Sequence, residues 1–165
     1  MSKPVLIAGA GVIGCLLGHV LKKHNIPFKI LEQSSEFKKI PNRTVALTKD
    51  SILFLNALDK SLDLNAWTTP VDRMELFHKN DLGVVLDSKD DQKVTSIGLL
   101  SNLHEKLLNK VQNEIHWNTS VTDISSKDTL VVKTSQKVFK TEFIFATDGS
   151  NSKVREICDF ENEEW

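Results

Sequence analysis

Apolar residues form short continuous runs near the start of this chain and alternating or helically spaced sets further along. Pro4-Val5-Leu6-Ile7-Ala8 has the length and character of a buried strand. Residues 12–24 read as a helix, and Phe28-Lys29-Ile30-Leu31 opens a second apolar run that ends in Glu32. A polar stretch over 33–39 leads to Ile40-Pro41-Asn42-Arg43, where the proline predicts an extended entry. From Asp50, Ile52, Leu53, Leu55 and Leu58 fall on or near one helical face, and that helix is expected to stop near Asn65. Residues 71–79 alternate like a strand of mixed burial. Asp81-Leu82-Gly83 predicts the turn of a hairpin into Val84-Val85-Leu86, the charged stretch 87–93 reads as solvated, and 94–97 gives a third short strand.

The second half is more regular. Leu103, Leu107, Leu108 and Val111 predict a helix over 101–111 with Ser101 as its N-cap. Residues 115–117 then return as a parallel strand, followed by three β-rich pieces at 121–125, 130–134 and 138–141. The last either continues or breaks into Glu142-Phe143-Ile144-Phe145-Ala146, whose run from Phe143 reads as a buried strand. A βαβ start, then helix, parallel strand, antiparallel meander and returning strand predicts an α/β fold of Rossmann type with an antiparallel β-meander. In such sheets ligands bind outside the carboxyl ends of the strands, which here carry Gly9, Glu32 and Asp148-Gly149.

The first of these ends carries Gly9-Ala10-Gly11-Val12-Ile13-Gly14. Gly9 permits a tight turn, Gly11 lets backbone approach a pyrophosphate, and Gly14 allows close packing of helix on strand. The helix N-terminus aims N–H groups at the anion, and Glu32 stands at the distance where a carboxylate bonds a ribose hydroxyl. A secretory leader is the competing reading, since Lys3 precedes the apolar stretch. Against it stand the absence of a small-residue cleavage pattern and the cations Lys22, Lys23 and His24.

Composition adds limits. The chain has 165 residues, enough for one core with a small appendage, and its 21 Lys and Arg against 22 Asp and Glu give no reason to expect nucleic acid or an anionic membrane as partner. No later stretch is apolar for long enough to span a bilayer, so a cytoplasmic protein is expected, with peripheral membrane contact left open. Cys15 and Cys158 make no metal or redox pair and read as buried thiols. His19, His24, His78, His104 and His116 lack ligand spacing, so no metal site is expected. Trp67, Trp117 and Trp165 read as packing residues, and the end from Phe160 reads as frayed.

Three blocks together resemble the flavoprotein aromatic hydroxylases of the p-hydroxybenzoate hydroxylase fold: the Gly9-to-Glu32 unit, Asp148-Gly149 with Ser152 and Arg155, and Arg43-Thr44-Val45-Ala46-Leu47-Thr48 with Ser51 and Leu55. The last block is most similar to the ubiquinone-biosynthesis hydroxylases. The resemblance implies FAD as cofactor and NAD(P)H as reductant, with an aromatic or quinone-type substrate. It places Gly9, Gly11 and Gly14 at the FAD pyrophosphate, Glu32 at the adenosine ribose and Arg43 along the cofactor, with Val12, Ile13 and Gln33 among the cofactor-binding residues. Asp148 and Gly149 match an Asp-Gly motif near the pyrophosphate, and Asn102 matches a position that touches flavin. It divides the chain into 1–69 and 99–165 as parts of an FAD-binding domain, with 70–98 as part of an antiparallel substrate-domain sheet. No catalytic side chain is implied, because the cofactor carries the chemistry.

Residue by residue, blander readings stand beside these. Arg43 is equally a solvated loop arginine, Asp148-Gly149 is a common turn dipeptide, and Arg155 is equally a cap or a partner of Glu156 and Asp159. Members of the family continue through a second flavin motif, so the chain is expected to be a fragment, a split-gene product or a decayed enzyme, inactive alone. The alternatives are a non-catalytic nucleotide-binding module completed by a partner chain and an NAD-dependent dehydrogenase.

Overall fold

The computed structural model describes residues 3–39, 42–79, 81–87, 95–126 and 128–161. Contacts divide the chain into two compact units, Met1–Lys38 with His104–Trp165, and Lys39–Leu103.

The first unit is built on a parallel sheet of order β12-β1-β2-β8, with β1 at Val5–Ala8, β2 at Phe28–Leu31, β8 at Ile115–His116 and β12 at Ile144–Ala146. Register pairs Ile7 with Ile30 on one side and with Phe145 on the other. Helix α1, Val12–Lys23, crosses from β1 to β2 and lies close because Gly18 has no side chain: a Cβ there would stand 2.8 Å from the Phe28 ring. A meander of β9 (Val121–Ser126), β10 (Leu130–Thr134) and β11 (Val138–Thr141) contributes Val121, Val132 and Phe139 to a core with Leu6, Ala8, Leu31 and Val154. The apolar runs of β1 and β2 are thus buried, as a sheet covered on its faces demands. The chain breaks after β11, where the buried Thr141 hydroxyl donates to the Pro4 carbonyl at 2.7 Å. The short helix α4, Lys153–Ile157, follows β12.

Two expectations fail in this unit. The run from Phe143 is an edge strand rather than a buried one: Phe143 and Phe145 are 59% and 43% exposed, while Ile144 alone packs on the core. Cys158 is exposed at the C-cap of α4, whereas Cys15 is buried on α1. Of the segment expected to fray, 162–165 lies outside the described residues, and Phe160 is exposed.

The second unit holds an antiparallel sheet of order β3-β7-β4 and a hairpin, β5 with β6. Here β3 is Thr44–Thr48, β4 Thr68–Val71, β5 Arg73–His78, β6 Asp81–Asp87 and β7 Thr95–Leu99. Helix α2, Lys49–Leu58, is capped by Thr48, and its buried residue is Leu55; Leu53, two residues back and so about 200° around the helix, is 59% exposed. The helix stops at Leu58, not near Asn65, because Asp59 turns extended; two 3-10 turns, Lys60–Leu62 and Leu64–Ala66, complete the segment. Trp67 packs against Gly98, where a Cβ would stand 2.7 Å from its ring. The hairpin turn comes earlier than Asp81-Leu82-Gly83: His78 pairs with Asp81, and Lys79 takes the left-handed φ of 56°. The extended entry at Ile40-Pro41 and the charged tip 89–93 lie outside the described residues, and Asn42 adopts φ 59°.

Helix α3, Leu100–Val111, starts directly after β7, so Ser101 lies inside it rather than capping it. Leu103, Leu107, Leu108 and Val111 are its buried residues, as their spacing requires. Among the described residues no helix is long and apolar enough to cross a membrane.

Candidate functional site

The carboxyl ends of the parallel strands form one side of a cavity of about 560 Å³, lined by Ala8 and Gly9 after β1, Leu31, Glu32 and Gln33 after β2, Thr119, Ser120, Val121 and Thr122 entering β9, and Asp148, Asn151 and Lys153 after β12. β1 has β2 on one side and β12 on the other, so the chain reverses its winding at this point, where open α/β sheets bind their ligands.

Each glycine of the first turn has its own reason to lack a side chain. Gly9 has φ 98°, and a Cβ on it would stand 2.7 Å from the Thr147 carbonyl. A Cβ on Gly14 would collide with the Gly9 carbonyl oxygen. At Gly11 nothing stands within 4 Å of that position, so this glycine is not required by the protein's own packing. The space is available to a ligand. Gly11 is also the N-cap of α1 and brings no side-chain cap, and the first turn, beginning Val12-Ile13, has no acidic residue. The leading N–H groups of a twelve-residue helix are therefore left to an external acceptor.

Glu32 is held, not loose. Its Oε2 accepts the Ala10 N–H at 2.8 Å and its Oε1 accepts the Ser34 N–H at 2.8 Å. The backbone around it continues the ladder beyond β2 and β8: Glu32 N–H donates to the His116 carbonyl at 2.9 Å, and the buried Thr119 donates its N–H to the Glu32 carbonyl at 2.7 Å. The Cys15 thiol, buried beside this carboxylate, is pushed up to about 12 by burial first and by Glu32 second. It remains a thiol and donates to the Ala10 carbonyl at 3.2 Å.

Asp148 is occupied by donors from residues that follow it in the chain. Its carboxylate accepts the Ser152 hydroxyl at 2.6 Å, the Lys153 N–H at 2.7 Å and the Val154 N–H at 3.2 Å, which ties the strand end to the start of α4. Gly149 follows with φ 87°. Arg155 donates to the Ser150 carbonyl at 2.8 Å and so braces the loop, while Glu156 pairs with Lys153.

The structure thus brings Gly9, Glu32, Gln33 and Asp148 to one cavity, with Gly11, Val12, Ile13 and Gly14 opening the adjacent helix. Arg43 and Asn102 belong to the second unit, where the Arg43 carbonyl accepts the Leu100 N–H at 2.8 Å at the start of α3. Sequence reasoning passed over Thr147, whose N–H donates to Ala8 O at 2.9 Å and whose hydroxyl is shared between Ala8 O and Gly9 O at 2.8 and 3.1 Å. Its place between a strand and Asp-Gly was the available signal. Thr119 to Thr122 line the cavity without any such signal.

These residues fit a dinucleotide. An uncapped helix N-terminus beside an open Gly11 suits a pyrophosphate, and the anchored Glu32 on the cavity wall suits a ribose. A family model described as FAD binding domain matches residues 2–164. The FAD-dependent monooxygenase ausM of Aspergillus calidoustus is 26% identical over 167 residues, covering 92% of this chain and 35% of that protein. Among solved structures, pqsL of Pseudomonas aeruginosa, a probable FAD-dependent monooxygenase, superposes with a TM-score of 0.80 at 19% identity, over 99% of this chain and 47% of the other. The p-nitrophenol 4-monooxygenase PnpA of Pseudomonas putida DLL-E4 gives 0.79 at 23% identity, over 99% and 46%. The chain therefore spans less than half the length of these relatives. With the family model covering nearly all of its residues, the chain belongs to the FAD binding domain family, and its cofactor is FAD.

Proposed function

We propose that this chain is the FAD-binding portion of a flavin-dependent monooxygenase acting on an aromatic or quinone-type ring, of the kind found in ubiquinone biosynthesis. The cavity at the strand ends, with Glu32 anchored on its wall and Gly11 open beside an uncapped helix, is the observation that carries the reading. The similarity to the FAD-dependent monooxygenase ausM supports the reaction class. The Arg43-to-Thr48 block supports the ubiquinone-type substrate. In such an enzyme the flavin, reduced by NAD(P)H, supplies oxygen activation. The residues of this chain bind and orient the adenine half of the cofactor: the α1 N-terminus takes the pyrophosphate, Glu32 and Gln33 the ribose, and Asp148 with Gly149 shapes the pyrophosphate side. Arg43 and Asn102 serve along the flavin. Reduction and hydroxylation are assigned to the whole protein, in which a further segment or a partner chain completes the site.

Titration of the purified chain with FAD, followed by flavin fluorescence, tests this. Saturable binding is expected, weakened about tenfold or more by Gly11→Val or Glu32→Ala, the loss typical of one interaction with a charged group. A folded chain without affinity for FAD overturns the reading. Displacement of FAD by low NADH would favour a dehydrogenase instead. Phenol-stimulated consumption of NAD(P)H by the whole protein tests the reaction class.

A further inference from the structure

The turn from Gly9 to Gly11 is gripped by a side chain from far along the chain. His104 Nε2 lies 2.6 Å from the Ala10 carbonyl oxygen. A carbonyl only accepts, so Nε2 carries the proton. The ring is itself set by Phe37, which packs edge-on at 90° with centroids 4.8 Å apart. Cys15 donates to the same oxygen, so the Ala10 carbonyl takes two donors from two different helices, α1 and α3. The preceding peptide is fixed separately, through the Ala10 N–H on Glu32.

We propose that His104 is a positioning residue for FAD: by holding the Ala10 carbonyl, it sets the direction of the Gly11 N–H at the head of α1, where the pyrophosphate binds. The peptide unit between Ala10 and Gly11 is planar and trans, so its C=O and N–H point in opposite directions. Gripping the oxygen therefore turns the Gly11 N–H away from His104. Without that grip only the weaker Cys15 thiol donor at 3.2 Å holds the oxygen, and the unit turns more freely about its flanking bonds, since Gly11 has no side chain to restrain it. Glu32 restrains only the peptide on the other side of the Ala10 Cα. The role rests on FAD binding at this turn.

The test compares His104→Leu, which keeps bulk and loses the donor, with His104→Gln, whose amide N–H reaches a similar position. His104→Leu is expected to raise the Kd for FAD about tenfold, the worth of one hydrogen bond, and His104→Gln to return it to within about threefold of the parent. A parental Kd in His104→Leu, or a His104→Gln variant as weak as His104→Leu, overturns the role. Imidazole ¹⁵N NMR of the unsubstituted chain without FAD adds a reading that needs no variant. It should show the Nε2–H tautomer at His104, and the Nδ1–H tautomer overturns the clamp even where His104→Leu fails to fold. An unsubstituted chain that binds no FAD removes the FAD reading itself, and with it this role, while the tautomer still reports whether the contact exists.

Discussion

At the scale of single residues, the three motif glycines separate folding from binding. Gly14 faces the Gly9 carbonyl, a backbone atom that cannot swing aside, so Gly14→Ala should cost about 1–3 kcal/mol of stability through overpacking. Gly11 has φ −67°, which any residue adopts, and open space where a Cβ would go. Gly11→Ala should therefore cost no more than about 1 kcal/mol, the loss from a poorer N-cap, while intruding on whatever occupies that space. Denaturant unfolding and FAD titration on both variants check this. A Gly11→Ala chain destabilised as much as Gly14→Ala, with unchanged FAD affinity, would make Gly11 a packing glycine. The spacing of the motif was legible in sequence because glycine is the one residue whose absent side chain has a geometric meaning. The contacts that hold the motif were not. His104 meets Ala10 across 94 residues and Thr147 meets Gly9 across 138, and nothing local to either residue encodes the meeting.

At the scale of elements, Asp148 links a strand end to a helix start. Three donors from Ser152, Lys153 and Val154 converge on its carboxylate, so its work is to place α4, whose Val154 enters the core beneath the cavity. Asp148→Ala should lower stability by about 1–2 kcal/mol, as loss of a cap does. The decisive condition is the absence of FAD: a side chain that served only as a ligand contact would leave the unliganded unfolding curve unmoved. Other elements differed in how plainly the sequence announced them. β1, β2 and the meander were readable because buried strands need apolar runs or alternation. β3 and β4 were passed over as edge strands of a small antiparallel sheet, rich in threonine and with Pro70 inside β4. The hairpin turn was misplaced because Gly83 drew the reading, while a lysine took the left-handed conformation. Phe143 and Phe145 resembled a buried strand because the run is apolar on both faces, although only one face meets the core.

At the scale of the whole molecule, acid sensitivity follows from one cluster at the sheet edge of the first unit. His116, on β8, has its imidazole held below the usual histidine range, first by burial and then by the ammonium groups of Lys29 and Lys137. Lys29 Nζ lies 3.1 Å from His116 Nε2, which as a neutral ring nitrogen accepts from it. Phe139 packs edge-on against the imidazole at 5.8 Å and carries the Lys137 ammonium over its face at 5.1 Å. The folded state thus binds fewer protons at His116 than the unfolded state does. Stability rises with pH wherever the unfolded chain holds more protons, so this group's contribution is present above the ordinary histidine pKa and lost as pH falls through and below it. Denaturant unfolding between about pH 7.5 and 5, a window set by the ordinary histidine range, should show stability falling with acid. His116→Asn should flatten that slope. Lys29→Met should raise the imidazole pKa toward its ordinary value, which NMR titration of the ring protons reads directly. An unchanged slope in His116→Asn would mean that the acid response arises elsewhere, and a fixed pKa in Lys29→Met would mean that burial and Lys137 set it without Lys29. Because the cluster joins β2, β8 and β11, and β2 carries Glu32 at its end, the same protonation acts on the strand that leads to the proposed ribose-binding carboxylate. FAD, binding the folded state, should oppose acid unfolding by RT ln(1 + L/Kd), where L is the free FAD concentration.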